Sequence, residues 1–351
     1  MPSNISLLAL VLITIVKGAV LIGALLMAFA YGTWLERRLV GRFQLRLGPN
    51  RVGPLGLMQP MADGVKVIFK EDFVPAQADR LAYWLAPALV VAVALTAFAV
   101  IPFGPPSVKL FGVPLFYISN VNVGILLILA VTSIGAYGVI LGGWASNSKY
   151  SLLGGLRSTA QLISYELGVG LAILGVILLA GTLELPQIVE QQAGTWFGFL
   201  PRWNIFLQPL GFLLYSIGAL AETNRAPFDL PEAEQELTTG YQTEYGGMKS
   251  AMFYMAEYID IVLVSSIATL LFLGGWQGPF IQQLPGLGVL WFLVKVLAFV
   301  FIFIWLRATL PRIRYDQLMD LGWKVVLPLA LLNLLLTALI VLIWPWLGGG
   351  G

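Results

Sequence analysis

Six ionisable side chains stand inside long apolar stretches of this chain: Lys17, Glu166, Glu222, Glu257, Asp260 and Lys295. A charge held in hydrocarbon is costly, so each is a candidate for function, and carboxylates in that setting are the groups that relay protons. The sequence has no histidine and no cysteine. That excludes disulfides, Fe–S ligation, haem–histidine ligation and ordinary zinc sites in this chain. It also removes the side chain that titrates near neutral pH unaided. Proton chemistry here falls to carboxylates, lysines, tyrosines and water.

Spacing puts the acids together. Counted at ~1.5 Å per helical residue, Glu166 lies ~10 Å and Glu257 ~9 Å from the same end of their apolar stretches. Glu222 closes its own stretch at that end, and Asp260 shares a helix face with Glu257 three residues earlier. In the pairs Tyr165-Glu166 and Glu257-Tyr258 neighbouring side chains point apart, leaving each tyrosine to serve an adjacent chain of waters. The segment after Glu222 adds Asp229, Glu232, Glu234, Glu236 and Glu244 against Arg225 and Lys249. Together these predict an acidic funnel opening to the cytoplasm. Carboxylates packed this way resist simultaneous ionisation, so some of them exchange protons at physiological pH.

Structural readings stand beside these. Glu222 also fits a headgroup position, and Glu166 and Glu257 also fit plain ion pairs. Lys17 and Lys295 also fit as snorkelling side chains, although Lys17 counts to near the middle of its stretch. The loop acids alone read equally as a solvated face.

The elements that carry these residues follow from composition. The chain is 58% hydrophobic and 11% charged, with mean hydropathy +0.86, whereas soluble domains carry about 25% charged residues. Stretches long enough to cross ~30 Å of hydrocarbon fall near 7–33, 81–103, 121–145, 159–181, 205–224, 251–276, 288–309 and 325–346. The fifth is the shortest. The first runs too far, with no small-residue cleavage site after it, to be a signal peptide, and is read as a retained helix. The expectation is an all-α polytopic membrane protein of about eight transmembrane helices, one membrane domain over residues 1–351.

Lysines and arginines orient it. Sixteen of the twenty fall in the odd-numbered loops, eight of them between Arg37 and Arg80. Lys109 and Arg202 alone lie in the loops on the other side. By the excess of basic residues in cytoplasmic loops, both termini face outward, on the side of the membrane away from the cytoplasm. Within the first loop, Leu57, Met58, Met61, Val65, Ile68 and Phe69 recur at three- and four-residue steps, opposite Gln59, Asp63, Lys66 and Lys70. That predicts an amphipathic helix near 56–72 lying in the membrane interface, or a short helix on a cytoplasmic face.

Several strings in order carry a resemblance: ERRLVGRFQLRLGPNRVGPLGLMQPMADGVKVIFKED (36–72), GWASNSKYSLLGGLRSTAQLISYELG (143–168), AETNRAPFDLPEAEQEL (221–237), GYQTEY (240–245), MAEYID (255–260) and RATLPRIRYDQLMDLGWK (307–324). Over nearly its whole length the chain resembles the H-subunit family of bacterial NADH:quinone oxidoreductase, respiratory complex I, the counterpart of mitochondrial subunit 1. The resemblance implies a quinone chamber formed by the cytoplasmic ends of the first and sixth membrane helices with the interfacial helix. On the matching motifs Glu36, Arg37 and Asp63 would line that chamber. Glu166, Glu222, Glu232, Glu234, Glu236 and Glu257 would form a proton path leading from it, with Arg225 and Tyr258 as weaker carry-overs. Some relatives have a further glutamate on the third helix. Here that position is Ser133, so the link is made by water or is missing.

The resemblance further implies that this chain binds no cofactor of its own. The substrate would be ubiquinone or menaquinone, while NADH, FMN and Fe–S clusters belong to partner subunits. Those partners would be the soluble Fe–S and quinone-site subunits of the peripheral arm and antiporter-like and small membrane subunits, with lipid around them and no nucleic acid. Two rivals remain: the equivalent subunit of a membrane-bound hydrogenase, and a stand-alone secondary transporter. Against the transporter stand the basic first loop and the absence of an inverted repeat.

Overall fold

The computed structural model describes residues 7–110, 112–196, 200–230 and 238–343. Seven helical runs in it are long and apolar enough to cross a membrane. They are α1 (Leu7–Phe43), α3 (Arg80–Ala97, with a 3-10 turn to Val100), α4 (Gly124–Ala145), α5 (Lys149–Ala180), α9 (Gly247–Phe272), α10 (Leu287–Thr309) and the run Tyr315–Ile343. That last run joins α11 (Tyr315–Asp320), a turn of π-helix (Leu321–Val326) and α12 (Leu327–Ile343). The chain is an all-helical, multi-pass membrane protein.

The expected fifth span, 205–224, is the exception in length. It is built from α7 (Asn204–Leu207) and α8 (Pro209–Glu222), broken at Gln208. Proline drives the preceding residue out of the helical region, and Gln208 accordingly has φ −128° and ψ 54°. The break is stapled: the Gln208 amide donates to Thr337 Oγ1 at 2.6 Å and accepts from Asn333 Nδ2 at 2.8 Å, both on α12. The 14 residues of α8 span roughly 21 Å, short of a full crossing.

Other bounds move for a common reason. Hydropathy marks where a helix leaves the apolar layer, and the backbone ends it elsewhere. The first helix, expected over 7–33, continues to Phe43 because Leu35 to Val40 contain no breaker. The fourth begins at Lys149 rather than 159 and stops where Gly181 takes φ 65°, a left-handed stop that suits glycine. At the first loop, α2 (Gln59–Ile68) is shorter than 56–72 and buries none of its residues. Met61, Val65, Ile68 and Phe69 stand exposed along it, as an interface-lying helix requires. The last expected residues of the eighth span, 344–346, lie outside the described residues.

Burial orders the bundle. In α9 72% of the most apolar window is buried, in α1 only 6%, so α9 is central and α1 lies at the rim. The central helix packs on α3 and α10, while α5 packs on α4, α8 and α12. Between α3 and α4 the approach is close: a side chain at Gly138 would meet the Ala86 carbonyl at 3.1 Å. On the side away from the arginine-rich loops are a short α6 (Leu185–Gln191) and two two-stranded ribbons, Lys109–Leu110 with Val113–Pro114 and Thr195–Trp196 with Leu200–Pro201.

Candidate functional site

Four helices deliver the intramembrane acids and their neighbours to one cavity. Glu166 comes from α5, Glu222 from the last residue of α8, and Glu257 and Asp260 from α9, with Thr132 and Ser133 of α4, Asn224 and Tyr241 among the other wall residues. The cavity holds about 80 Å³, room for two or three waters at ~30 Å³ each. Counting along the sequence puts these four acids in the same half of the membrane, and the fold brings them to one cavity. Ser133 is nearer than expected. Its hydroxyl donates directly to Glu166, so the third-helix position meets the carboxylate without an intervening water.

A second cluster lies one residue along the helix. Glu36 on α1 is 6% exposed. It accepts from Arg225 Nη1 at 3.0 Å on both oxygens, from the Tyr258 hydroxyl at 2.8 Å, and from Arg307 at the end of α10. The same Arg225 reaches Glu257 through Nε at 2.6 Å, and its guanidinium lies 4.5 Å from the centre of the Tyr258 ring. One guanidinium therefore joins the acidic cavity to a buried glutamate on another helix. Arginine suits this post because its donors point along fixed, divergent directions.

Beyond Glu36 the surroundings turn apolar. A cavity of about 320 Å³ opens between α1, α9 and α10, with Tyr31, Trp34, Leu35, Ile261, Val300 and Phe303 among its walls. Its one polar end is made by Glu36, Arg225, Tyr258 and Arg307. Gly32 leaves room beside Tyr258: a Cβ there would stand 3.3 Å from the ring. The volume lies at the lower end of small-molecule pockets, and the lining, apolar with a few convergent polar groups, is typical of them. Glu36 and Arg307 also face a third, polar cavity of about 480 Å³ shared with Arg37, Gln44 and Arg46.

Of the sequence candidates, Glu36 lines the second and third cavities and Arg37 the third. Asp63 touches them indirectly, pairing with Arg37 at 2.7 Å and accepting from Gln59 at 2.9 Å. Glu232, Glu234 and Glu236 lie outside the described residues. Arg307 reads in the sequence only as a loop cation, though its place in the last turn of the seventh membrane helix puts it within reach of the cluster. Tyr165 does not serve the acids: its hydroxyl donates to the Leu318 carbonyl at 2.8 Å.

The two membrane lysines have fixed partners. Lys295 donates to the carbonyls of Leu273, Gly275 and Gln277 at 2.7, 2.9 and 2.7 Å, just past the end of α9. A cation there satisfies orphaned carbonyls and complements the helix dipole. Lys17 donates to the carbonyls of Pro114 and Tyr117, in the segment between α3 and α4.

Relatives bear on what this arrangement serves. The sequence model of the NADH dehydrogenase family matches residues 16–338. The H subunit of NADH-quinone oxidoreductase from Deinococcus radiodurans is 54% identical over 347 residues, 96% of this chain and 85% of that one. Its counterpart in Thermomicrobium roseum is 54% identical over 333 residues, 94% and 96% of the two chains. That of Protochlamydia amoebophila is 55% identical over 317 residues, 90% and 94%. With the family model covering most of its length and relatives this close, the chain belongs to the H-subunit family of NADH-quinone oxidoreductase.

Proposed function

We propose that this chain holds quinone in the cavity between α1, α9 and α10 and converts its reduction into proton movement through the carboxylates around α9. The observation that carries the reading is Arg225, shared between Glu36 at the polar end of the apolar cavity and Glu257 in the acidic one. Walls of aliphatic and aromatic side chains suit an isoprenoid tail. The tyrosine hydroxyl and guanidinium donors at the polar end suit quinone carbonyls, which only accept hydrogen bonds.

Reduction to quinol takes two electrons, delivered by Fe–S centres of partner subunits, and two protons. Negative charge developing near Glu36 changes how strongly that residue competes for Arg225. Two charges 4 Å apart at an effective dielectric of ~20 interact by roughly 4 kcal/mol. A shift of Arg225 toward either partner is therefore enough to change whether Glu257 holds its proton. Glu257 shares its cavity with Asp260, Glu222 and Glu166, and in this reading the path runs through these acids and on to antiporter-like membrane subunits. The loop acids Glu232, Glu234 and Glu236 belong to the same path. The basic first loop, with Arg37, Arg42, Arg46 and Arg51, docks the soluble arm, and the chain sits in the bacterial inner membrane with both termini outside.

The test is photolabelling of the assembled complex with an azido-quinone, competed by excess quinone. Label on α1, α9 or α10 around Trp34 and Tyr258 is the expected result. Competable label confined to other helices of this chain overturns the assignment of the cavity. Normal electron transfer without any quinone binding favours the hydrogenase-type reading.

A further inference from the structure

We propose that Ser133 is a positioning residue for the acidic path, holding Glu166 in place in both of its protonation states by turning its hydroxyl; this rests on the proton-path reading of Glu166. The Ser133 oxygen stands within hydrogen-bonding reach of two acceptors. One is the Glu166 carboxylate. The other is the Leu129 carbonyl one turn back on α4, at 2.8 Å. A hydroxyl has one proton and two lone pairs, so it serves one acceptor at a time and stays free to accept.

Two arrangements follow. With Glu166 ionised, Ser133 donates to it, a charge-assisted bond stronger than one between neutral groups. With Glu166 protonated, the carboxyl O–H donates to the Ser133 oxygen, and the serine proton turns to the Leu129 carbonyl. That carbonyl also accepts the helical N–H of Ser133 and Thr132 Oγ1 at 3.0 Å, and it shares its lone pairs with the Ser133 hydroxyl, as carbonyls do where a helical serine bonds back to residue i−4. Either state leaves both side chains paired. Ser133 keeps its own proton throughout: only its direction changes, and the proton gained or lost belongs to Glu166.

Partners that change charge would behave differently. The other titratable groups facing this cavity are Glu222 from α8, Glu257 and Asp260 from α9, and Tyr241 from the 3-10 turn Gly240–Gln242. The lining residues of α3, Val90 and Val93, are apolar. Each acid that ionises makes the next harder to ionise. A hydroxyl satisfies Glu166 without adding a further charge to that set.

The experiment uses the whole complex in vesicles, with Ser133→Ala, Ser133→Thr and Ser133→Cys compared for assembly, quinone reduction, proton uptake and the infrared carbonyl band of protonated Glu166. Glu166→Gln identifies that band by removing it. Ser133→Ala is expected to assemble and to lose about tenfold in turnover and proton uptake together, the worth of one hydrogen bond to a charged group. Quinone KM stays unchanged. The Glu166 band should move to higher frequency in the alanine variant, as it loses its partner, and return in Ser133→Thr, which restores turnover. If the alanine variant fails to assemble, Ser133→Cys, nearly the same size and a weaker donor, should show an intermediate band and rate.

An unmoved Glu166 band with full turnover in Ser133→Ala overturns the proposal, as does an unmoved band and full turnover in Ser133→Cys. Full turnover in Glu166→Gln overturns the proton-path reading instead, while the band still reports whether Ser133 holds the carboxyl.

Discussion

Arg225 and Glu36 meet with 6% and 9% of their side chains exposed, a single guanidinium nitrogen lying 3.0 Å from each carboxylate oxygen. The two residues are 189 positions apart in sequence. Breaking such a pair leaves a buried charge without a partner, which costs about 3–5 kcal/mol. Arg225→Ala takes the shared cation from both Glu36 and Glu257, and the expected outcome is little assembled complex. Arg225→Lys keeps the charge but offers no divergent fork. It should assemble and lose about tenfold or more of its quinone reductase activity, and full activity would show that one shared guanidinium is not required. Immunoblots of native gels and quinone reduction in the same membranes measure both.

Asp63 sits in a different energetic class. Its pair with Arg37 leaves the arginine side chain 55% exposed, and exposed pairs contribute at most about 1 kcal/mol. Asp63→Asn should therefore assemble normally. The expected loss is in quinone reduction, severalfold, with NADH oxidation by an artificial acceptor unchanged. Normal quinone kinetics in the assembled variant would remove Asp63 from the entry site.

Lys295 is expected to be structural. Its ammonium meets three carbonyls past the end of α9 and lies 4.7 Å from the Trp203 ring centre, far along the helix from Glu257. Lys295→Met removes all three bonds and should destabilise the protein by about 3 kcal/mol. Thermal dissociation of the complex should fall in temperature while quinone KM and the proton-to-electron ratio of surviving complex hold. A changed ratio at unchanged stability would make Lys295 part of the path.

The contrast among these residues shows what the sequence carried and what it could not. Helical depth is additive along one chain, so counting alone puts Glu166, Glu222, Glu257 and Asp260 in the same half of the membrane. Partners across helices depend on rotation about each axis, which apolar stretches that are hydrophobic all round do not encode. Nothing in the spacing announces that Arg225 divides itself between Glu36 and Glu257, or that Lys295 caps α9 rather than snorkels. The break at Gln208 is legible in Pro209, and the reach of α1 to Phe43 is legible in the absence of a breaker. Hydropathy alone hides both.

Orientation rests on the sixteen basic residues assigned to one side. A fluorescent reporter that matures only in the cytoplasm, fused after Gly351, should stay dark at normal expression. A bright fusion would reverse the topology or change the number of crossings.

Glu166 and Glu257 test the mechanism most directly. Both line the same small cavity, yet their holds differ: Glu166 is met by a hydroxyl, Glu257 by the Arg225 guanidinium at 2.6 Å. Glutamine keeps the size and hydrogen-bonding capacity of either side chain and removes titration. Glu166→Gln leaves no charge unpaired, so it should assemble fully and lose most of both quinone reduction and proton pumping, since a blocked path stalls coupled chemistry. Glu257→Gln costs Arg225 one of its two carboxylates, but Glu36 still holds the cation, so assembly should fall only partly while activity per assembled complex falls as far. Aspartate at either position keeps the charge one methylene short and should retain more activity than glutamine. Proton uptake and quinone reduction measured in the same reconstituted vesicles decide among these. A purely structural pair would show failed assembly with normal activity in whatever survives. Full activity in both glutamine variants would remove the cavity from the proton path and leave the coupling to Glu232, Glu234 and Glu236.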